Sequence, residues 1–267
     1  MAFDYRLSDG IGTITFDRPA QMNTLTRASA VALARLFDET DADDAVRALI
    51  VTGEGRAFCA GADLSGGGFG TGDDGSDPAR DWGGILTMRI FDSVKPIVAA
   101  VNGVAAGVGA TMQLPMDVRI ASTDARFGFV FSRRGIVPES ASSWFLPRVV
   151  GISRALDWCY SGRVFGADEA LSAGLVRSLH APGDLMEAAR TLARTYVEGT
   201  APVSVALTRR MMWRMLAEPA PMAAHLMESA MIPTRGRSAD AREGVAAFME
   251  KRAAVFPDTV SAGLPEV

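Results

Sequence analysis

Two glycine-bearing corners hold the residues of this chain that are best suited to chemistry. Residues 101–112 run from an apolar strand through three glycines into an apolar helix, and residues 56–64 carry Gly61 soon after another apolar strand. Glycine lets a ligand approach main-chain N–H groups that a Cβ would screen. A helix N-terminus adds unpaired N–H donors and the positive end of a dipole. Together the corners predict two backbone donors for one carbonyl oxygen that becomes negative, an oxyanion hole.

Glu139 is the carboxylate whose sequence surroundings differ from those of the other acidic residues. Apolar residues precede it, and Pro138 with three nearby serines indicates a turn that opens a helix. Burial raises the pKa of a carboxyl group, whereas a helix N-terminus lowers it. A general base that works near neutral pH needs the burial effect to dominate. From the residues alone, both a catalytic base and a helix-capping glutamate remain open.

The other candidates for acid–base or nucleophilic chemistry are weaker. Neither His180 nor His225 has a nearby Ser or Cys in a nucleophile turn, so the sequence gives poor support for a hydrolytic triad. Cys59 and Cys159 form no CxxC pair, which argues against a disulfide framework or a zinc site. We interpret Cys59, which lies in the corner at residues 56–64, as a small apolar packing residue.

Composition narrows the class of protein. The chain has 267 residues, 48% of them apolar, and a net charge of −4, so it can bury a full core. No run of Lys or Arg stands out and no apolar stretch approaches a membrane span, so we expect neither a nucleic-acid nor a membrane partner. No secretory signal is visible at the start. We predict a cytoplasmic protein.

The elements that must position the two corners and Glu139 alternate between strands and helices. We predict a hairpin at residues 5–16, a first helix at 26–40, a buried strand at 47–52, a second helix at 85–93 and a further strand at 96–101. Such alternation favours crossover units over a meander. Residues 65–84 are rich in Gly, Asp and Ser, which predicts a mobile loop beside the site.

The sequence predicts that the last third of the chain is helical. Pro202 suits the first turn of a helix, and residues 239–255 form an amphipathic pattern. The helix after Pro202 carries a methionine-rich stripe, which we interpret as core or subunit contact; its members are Val205, Leu207, Met211, Met212 and Met215.

In combination, the two corners and their order along the chain resemble the crotonase (enoyl-CoA hydratase/isomerase) superfamily. The other matching motifs are Thr15-Phe16-Asp17-Arg18-Pro19 with Met22-Asn23-Thr24-Leu25, Met116-Asp117-Val118-Arg119-Ile120-Ala121, Gly135-Ile136-Val137-Pro138, Leu146-Pro147-Arg148, Gly166-Ala167-Asp168-Glu169-Ala170 with Gly174-Leu175-Val176, and Asp240-Ala241-Arg242-Glu243-Gly244 with Phe248. The resemblance covers nearly the whole chain. It is specific for the superfamily and much less so for the reaction.

The resemblance implies a fold and an assembly. The expected fold is α/β, with a crotonase-like spiral of repeated ββα units that carries the acyl-CoA site over residues 1–200. Residues 201–267 then form a C-terminal helical region that packs trimers, commonly paired into hexamers, and helps cover the ligand. The implied partner is an acyl-CoA thioester in a homotrimer or hexamer. Coenzyme A is part of that substrate, so we expect no separate cofactor and no metal.

The resemblance also implies roles for individual residues. Glu139 is the expected catalytic base, and the N–H groups of Ala62 and Val108 are the expected oxyanion-hole donors. The expected substrate-binding residues are Ala62, Asp63, Leu64, Gly107, Val108, Thr111, Phe131, Phe248 and Lys251. For Lys251, a solvated helix face is an equally good interpretation.

The chain departs from well-studied enoyl-CoA hydratases at two positions. Those enzymes carry two glutamates that share one water, and here Thr111 and Phe131 stand in their places. A glycine of the hydratases aligns with Glu139. A carboxylate there is similar to 3,2-enoyl-CoA isomerases of the peroxisomal type and to isomerases of ring-opened aromatic acyl-CoA thioesters. In them, one carboxylate moves a proton from C2 to C4.

We therefore expect an enzyme that shifts the double bond of a 3-enoyl-CoA to give a 2-enoyl-CoA. The alternative is an enoyl-CoA hydratase, in which Glu139 activates water alone or with another residue. A further alternative is a catalytically silent relative that binds acyl-CoA or RNA. The net acidity and the lack of a basic patch with interleaved aromatic residues weigh against RNA binding.

Overall fold

The computed structural model describes residues 2–65 and 80–266 of the chain. The strands are β1 (Phe3–Ser8), β2 (Ile11–Phe16), β3 (Ala48–Gly53), β4 (Ala57–Cys59), β5 (Ile97–Val101), β6 (Val104–Ala106), β7 (Val118–Ser122), β8 (Arg126–Gly128), β9 (Val164–Gly166) and β10 (Leu179–His180). The helices are α1 (Arg27–Ala42), α2 (Trp82–Phe91), α3 (Val108–Thr111), α4 (Ser142–Val150), α5 (Ile152–Ser161), α6 (Ala167–Ser172), α7 (Leu185–Val197), α8 (Pro202–Met215), α9 (Met222–Gly236) and α10 (Ala239–Glu250).

Successive ββα units build two sheets. In each unit the first strand enters the larger sheet, of order β1-β2-β3-β5-β7-β10, and the second enters the smaller sheet, of order β4-β6-β8-β9. Strand β3 is thus followed by β4 and α2, β5 by β6 and α3, and β7 by β8 and α4. Neighbouring strands of these units pair in parallel. This arrangement confirms the expected spiral of ββα units.

The central strands β3 and β5 of the larger sheet are buried on both faces, which explains their continuous apolar sequences. Successive side chains of a strand point to opposite faces. In β3, Leu49 and Val51 join the main core between the sheets, whereas Ile50 packs into a second core against α7. The strand therefore has no solvated face and fixes where the chain turns toward β4.

The N-terminal predictions are confirmed. Strands β1 and β2 pair antiparallel from Phe3 opposite Phe16 to Ser8 opposite Ile11. Thr26 caps α1, because its side chain accepts a hydrogen bond from the Ser29 N–H. The capped helix then packs its apolar face into the main core.

The predicted boundary between the loop and α2 was wrong. Helix α2 begins at Trp82, three residues before the predicted start, because the Asp81 carboxylate caps it by accepting from the Gly84 N–H at 2.5 Å. This cap offsets the low helix propensity of two glycines in the first turn. The rest of the predicted mobile loop, residues 66–79, lies outside the described residues.

The C-terminal predictions hold in part. Pro202 occupies the first turn of α8, as predicted. The methionine stripe joins the core only in part, because Leu207 is buried whereas Met212 is 70% exposed, and Arg209 is buried as well. The Arg209 guanidinium donates to the carbonyl oxygen of Phe91 at the end of α2, which explains its burial. None of the described helices is both long enough and apolar enough to cross a membrane.

Candidate active site

The two glycine corners lie side by side because β4 and β6 are parallel neighbours in the smaller sheet. The first corner leaves β4 and the second leaves β6, so both turn away from the same sheet edge. Gly61 has φ +116° and Gly107 has φ +53°, conformations that favour glycine. A Cβ on Gly109 would overlap the carbonyl oxygen of Cys59, so α3 can pack onto β4 only with glycine there.

The amides predicted as oxyanion donors are left unbonded by the fold. Leu25 donates to the Gly61 carbonyl and accepts from the Asp63 N–H, which leaves the N–H of Ala62 between them pointing away. Val108 is the first residue of α3, so its N–H has no partner within the helix. Neither N–H finds an acceptor among the described residues. Both are available to a ligand oxygen, as the oxyanion hypothesis requires.

Glu139 is joined directly to the helix that carries Val108. The hydroxyl of Thr111, a fully buried residue of α3, donates to Oε1 of Glu139 at 2.8 Å. The hydroxyl of Ser140 donates to the other oxygen, Oε2. Both carboxylate oxygens are therefore held, and the base candidate and one oxyanion candidate share a short helix.

Burial dominates the electrostatics of Glu139. Its pKa is raised above the ordinary value chiefly because burial disfavours the charged form. The hydrogen bonds from Ser140 and Thr111 oppose this rise, and the nearby charge of Asp81 adds to it. A raised pKa suits a carboxylate that must both take and return a proton.

Glu139 does not cap α4, so the capping alternative was wrong. The N-cap residue of α4 is Ala141, and no side chain caps this helix. The backbone carbonyl of Glu139 accepts from the Ser142 N–H and hydroxyl, which leaves the carboxylate free to face α3. Ser140 and Ala141 both adopt positive φ, +56° and +53°, at a cost of about 1 kcal/mol or more each. Backbone strain of this kind concentrates at functional sites.

Three residues around Glu139 were missed by sequence reasoning: Asp81, Gly83 and Ser140. A Cβ on Gly83 would lie 2.5 Å from Oε2 of Glu139 and from Oγ of Ser140, so only glycine lets α2 approach the carboxylate this closely. The available signal was a pair of glycines after an acidic N-cap residue, where a helix start and a close approach coincide.

Cys59 packs as interpreted. Its thiol is fully buried, and burial raises its pKa to about 12. A thiol with that pKa is not a nucleophile at neutral pH. Within the part of the chain that the structure describes, no three His, Cys, Asp or Glu side chains are placed to hold a metal ion.

Asp63 and Leu64 continue the first corner. The Asp63 carboxylate accepts from the N–H and hydroxyl of Ser65 and pairs with Arg18 at 3.1 Å, and these partners lower its pKa. The Asp63 side chain therefore stabilises the corner through its contacts with Ser65 and Arg18. Leu64 is 42% exposed beside it, which leaves an apolar surface available to a ligand.

The remaining predicted contacts do not all meet at this site. Phe131 is almost completely buried in the main core. Phe248 is 81% exposed on α10, and Lys251 is exposed at the end of that helix. Within residues 2–65 and 80–266, neither Phe248 nor Lys251 hydrogen-bonds to or packs against Glu139 or the corners.

An apolar cavity of about 910 Å³ adjoins the site between α2, α4 and α8. Ala141, two residues after Glu139, forms part of its wall. Aromatic and other apolar side chains supply most of the remaining surface, namely Met88, Phe91, Trp144, Phe145 and Trp213. The cavity can therefore take a large apolar group.

Unbonded backbone amides near a partly buried carboxylate, on a ββα spiral, are the arrangement that the oxyanion hypothesis requires. The sequence matches the enoyl-CoA hydratase/isomerase family over residues 6–259. The chain belongs to this family, the crotonase superfamily.

Some relatives of this chain are named as hydratases and one is named as an isomerase. The chain is 41% identical over 254 residues to the enoyl-CoA hydratase ACTT3 of Alternaria alternata, covering 95% of this chain and 85% of that protein. It is 34% identical over 255 residues to the 1,2-epoxyphenylacetyl-CoA isomerase of Escherichia coli, with 92% and 95% covered. Among solved structures, the enoyl-CoA hydratase from Bacillus anthracis superposes with a TM-score of 0.89 at 28% identity, covering 96% and 99%.

Proposed function

We propose that the protein is an enoyl-CoA isomerase that converts a 3-enoyl-CoA thioester to a 2-enoyl-CoA thioester, with Glu139 as its base. The observation that carries this proposal is the partly buried Glu139 carboxylate, whose Oε1 lies 2.8 Å from the hydroxyl of Thr111 on the helix that begins with the unbonded Val108 amide.

In the proposed reaction Glu139 removes a proton from C2, and the electron pair delocalises onto the thioester oxygen. The N–H groups of Ala62 and Val108 donate to that oxygen at about 2.7–3.1 Å, and losing one such donor typically raises the barrier by about 3–4 kcal/mol. Glu139 then returns the proton to C4, and the double bond settles between C2 and C3. The proton is conserved and no water is consumed, so one carboxylate suffices.

The second candidate function is hydration of a 2-enoyl-CoA. The name of the Alternaria relative, which is 41% identical, favours it. However, the residues that stand where the hydratases have their paired glutamates are Thr111, which is too weak a base to activate water, and Phe131, which lies in the core. In a hydratase, Glu139 would have to activate water alone or with another residue.

Product analysis tests these alternatives. The protein is incubated separately with 2-enoyl-CoA and 3-enoyl-CoA thioesters in H₂¹⁸O, and the products are followed by mass spectrometry. Isomerisation of the 3-enoyl substrate without ¹⁸O uptake is the expected result. Rapid conversion of the 2-enoyl substrate to an ¹⁸O-labelled 3-hydroxyacyl-CoA would favour the hydratase. Binding without turnover of either thioester would favour a silent acyl-CoA-binding relative.

We infer that the acyl group extends from the oxyanion hole past Glu139 into the apolar cavity. Ala141 links the two regions, since it follows the base by two residues and lines the cavity. Burying more of an apolar chain strengthens binding by about 0.8 kcal/mol per CH₂. The proposal predicts tighter binding of long or aryl acyl groups than of a four-carbon group.

We also infer that the chain assembles as a trimer or hexamer through its C-terminal helices. Large apolar side chains are exposed on α9 and α10, namely Met222, Leu226, Ile232, Val245, Phe248 and Met249. An apolar surface of this kind is typical of a subunit interface. Sedimentation equilibrium tests the assembly, and a monomer at micromolar concentration would contradict it.

A further inference from the structure

We propose that Asp81 is a positioning residue for Glu139: it orients the Glu139–Ser140 turn and places a second negative charge beside the base. The proposal rests on the proposed function, in which Glu139 is the base. It adds a second carboxylate to the site, from the N-cap of α2 rather than from the turn before α4, 58 positions before Glu139 in the sequence.

The geometry ties the two carboxylates to the same turn. Oδ1 of Asp81 accepts a long, 3.4 Å hydrogen bond from the Ser140 N–H, and the Ser140 hydroxyl donates to Oε2 of Glu139. Both Oε2 of Glu139 and Oδ1 of Asp81 lie within 3.3 Å of the position that a Cβ on Gly83 would occupy. Ser140 therefore bridges the pair, and Gly83 leaves room for both.

Asp81 is the charged group positioned to influence the ionisation of Glu139. A like charge nearby disfavours ionisation of a carboxyl group. The titratable groups that face Glu139 in the described structure are Cys59 on β4, which is neutral, and Asp81 at the start of α2. No Lys or Arg of the described chain forms an ion pair with Glu139. The charge of Asp81 is thus not cancelled by a cation bonded to the base.

Capping of α2 is the structural role from which this proposal must be separated, because Asp81 also accepts from the Gly84 N–H. Asparagine and serine cap helices about as well as aspartate does, without a charge. An uncharged, cap-competent substitution therefore removes the proposed effect and preserves the helix. Both Asp81→Asn and Asp81→Ser remove the charge, but the shorter serine side chain also loses the hydrogen bond from the Ser140 N–H. Comparing the two variants therefore separates the effect of the charge from that of the contact.

The experiment measures the pH dependence of kcat/KM for 3-enoyl-CoA isomerisation in wild type, Asp81→Asn and Asp81→Ser. We expect the acid limb to move to lower pH in both variants, so that at a fixed pH on that limb each keeps about two to three times more of its own plateau rate than wild type. Asp168→Asn is the matched control, since it removes an exposed acidic charge from the first turn of α6. An unchanged acid limb in the Asp81 variants would overturn the proposal.

A second readout does not depend on the reaction. The carboxyl carbon of Glu139 is followed by ¹³C NMR during a pH titration, with Glu139→Gln used to assign its signal. The midpoint should fall in Asp81→Asn and stay in Asp168→Asn. If Glu139→Gln keeps its activity while the midpoint still falls, the proposed function fails and the coupling of the two carboxylates stands. If the midpoint does not move, Asp81 is only a helix cap.

Discussion

The hydroxyl of Thr111 lies 2.8 Å from Oε1 of Glu139, and Thr111 is the last residue of the helix that begins with Val108. One short helix therefore carries both an unbonded amide and the hydroxyl that orients the carboxylate. Any movement of α3 changes the donor and the base together.

Replacing Glu139 with glutamine should nearly abolish double-bond migration while leaving acyl-CoA affinity within a few fold. The amide keeps the size and polarity of the side chain but cannot take a proton from C2. General base catalysis is typically worth about 100- to 10,000-fold, so the loss should be at least 100-fold. Isomerisation kinetics and calorimetry with a saturated acyl-CoA check this.

Glu218→Gln, at an exposed position after α8, is the control for the loss of one negative charge. A Glu139→Gln enzyme that keeps more than about a tenth of its activity, under 1.4 kcal/mol of barrier, would show that Glu139 is not the base.

Replacing Thr111 with valine should lower kcat and move the acid limb of the pH profile to higher pH. The Thr111 hydroxyl stabilises the ionised form of Glu139, so its removal makes the carboxyl harder to ionise. Thr111→Ser keeps the hydroxyl and should retain most of the activity. A Thr111→Val enzyme with an unchanged pH profile would mean that this hydrogen bond does not influence the base.

The corners and the distinctive surroundings of Glu139 could be predicted from sequence because their signals are local. Gly61, Gly107 and the apolar surroundings of Glu139 are visible within a dozen residues. The contact of Asp81 with Ser140 joins residues 59 positions apart and exists only after α2 docks. Gly83 was assigned to a loop because glycine disfavours helices, whereas the cap and the close packing together decide the conformation.

Replacing Gly83 with alanine should reduce kcat at least tenfold with little loss of stability. The new Cβ would lie 2.5 Å from Oε2 of Glu139, the flexible end of a side chain, so the carboxylate moves rather than the fold. A small displacement of a catalytic group is costly because geometry sets the effective concentration of the base. Gly183→Ala, where nothing lies within 4 Å, controls for the loss of a glycine. Wild-type kcat in Gly83→Ala would contradict the close approach.

Replacing Gly109 with alanine should prevent folding or cost more than about 4 kcal/mol, because the Cβ would overlap the backbone of Cys59 and neither chain can shift cheaply. Urea denaturation measures the free energy of unfolding, and soluble yield reports failure to fold. Gly236→Ala, with open space around it near the end of α9, should change stability by less than about 1 kcal/mol. Equal stability of the two variants would mean that α3 does not pack on β4 as described.

Glu139→Gln should also make the protein more stable at neutral pH, and this gain should vanish in acid. Burial raises the pKa of Glu139 above its ordinary value of 4.5, so the folded state binds a proton more tightly than the unfolded chain does. Stability therefore falls as pH rises through the folded pKa, and below about 4.5 both states are protonated and the cost disappears. Glutamine resembles the protonated acid and escapes the cost. Urea denaturation between pH 4 and 8 measures the difference, with Glu218→Gln as the exposed control. A Glu139→Gln variant that is less stable than wild type across this range would mean that the hydrogen bonds from Thr111 and Ser140 outweigh burial, and the carboxylate would then be too weak a base for the proposed reaction.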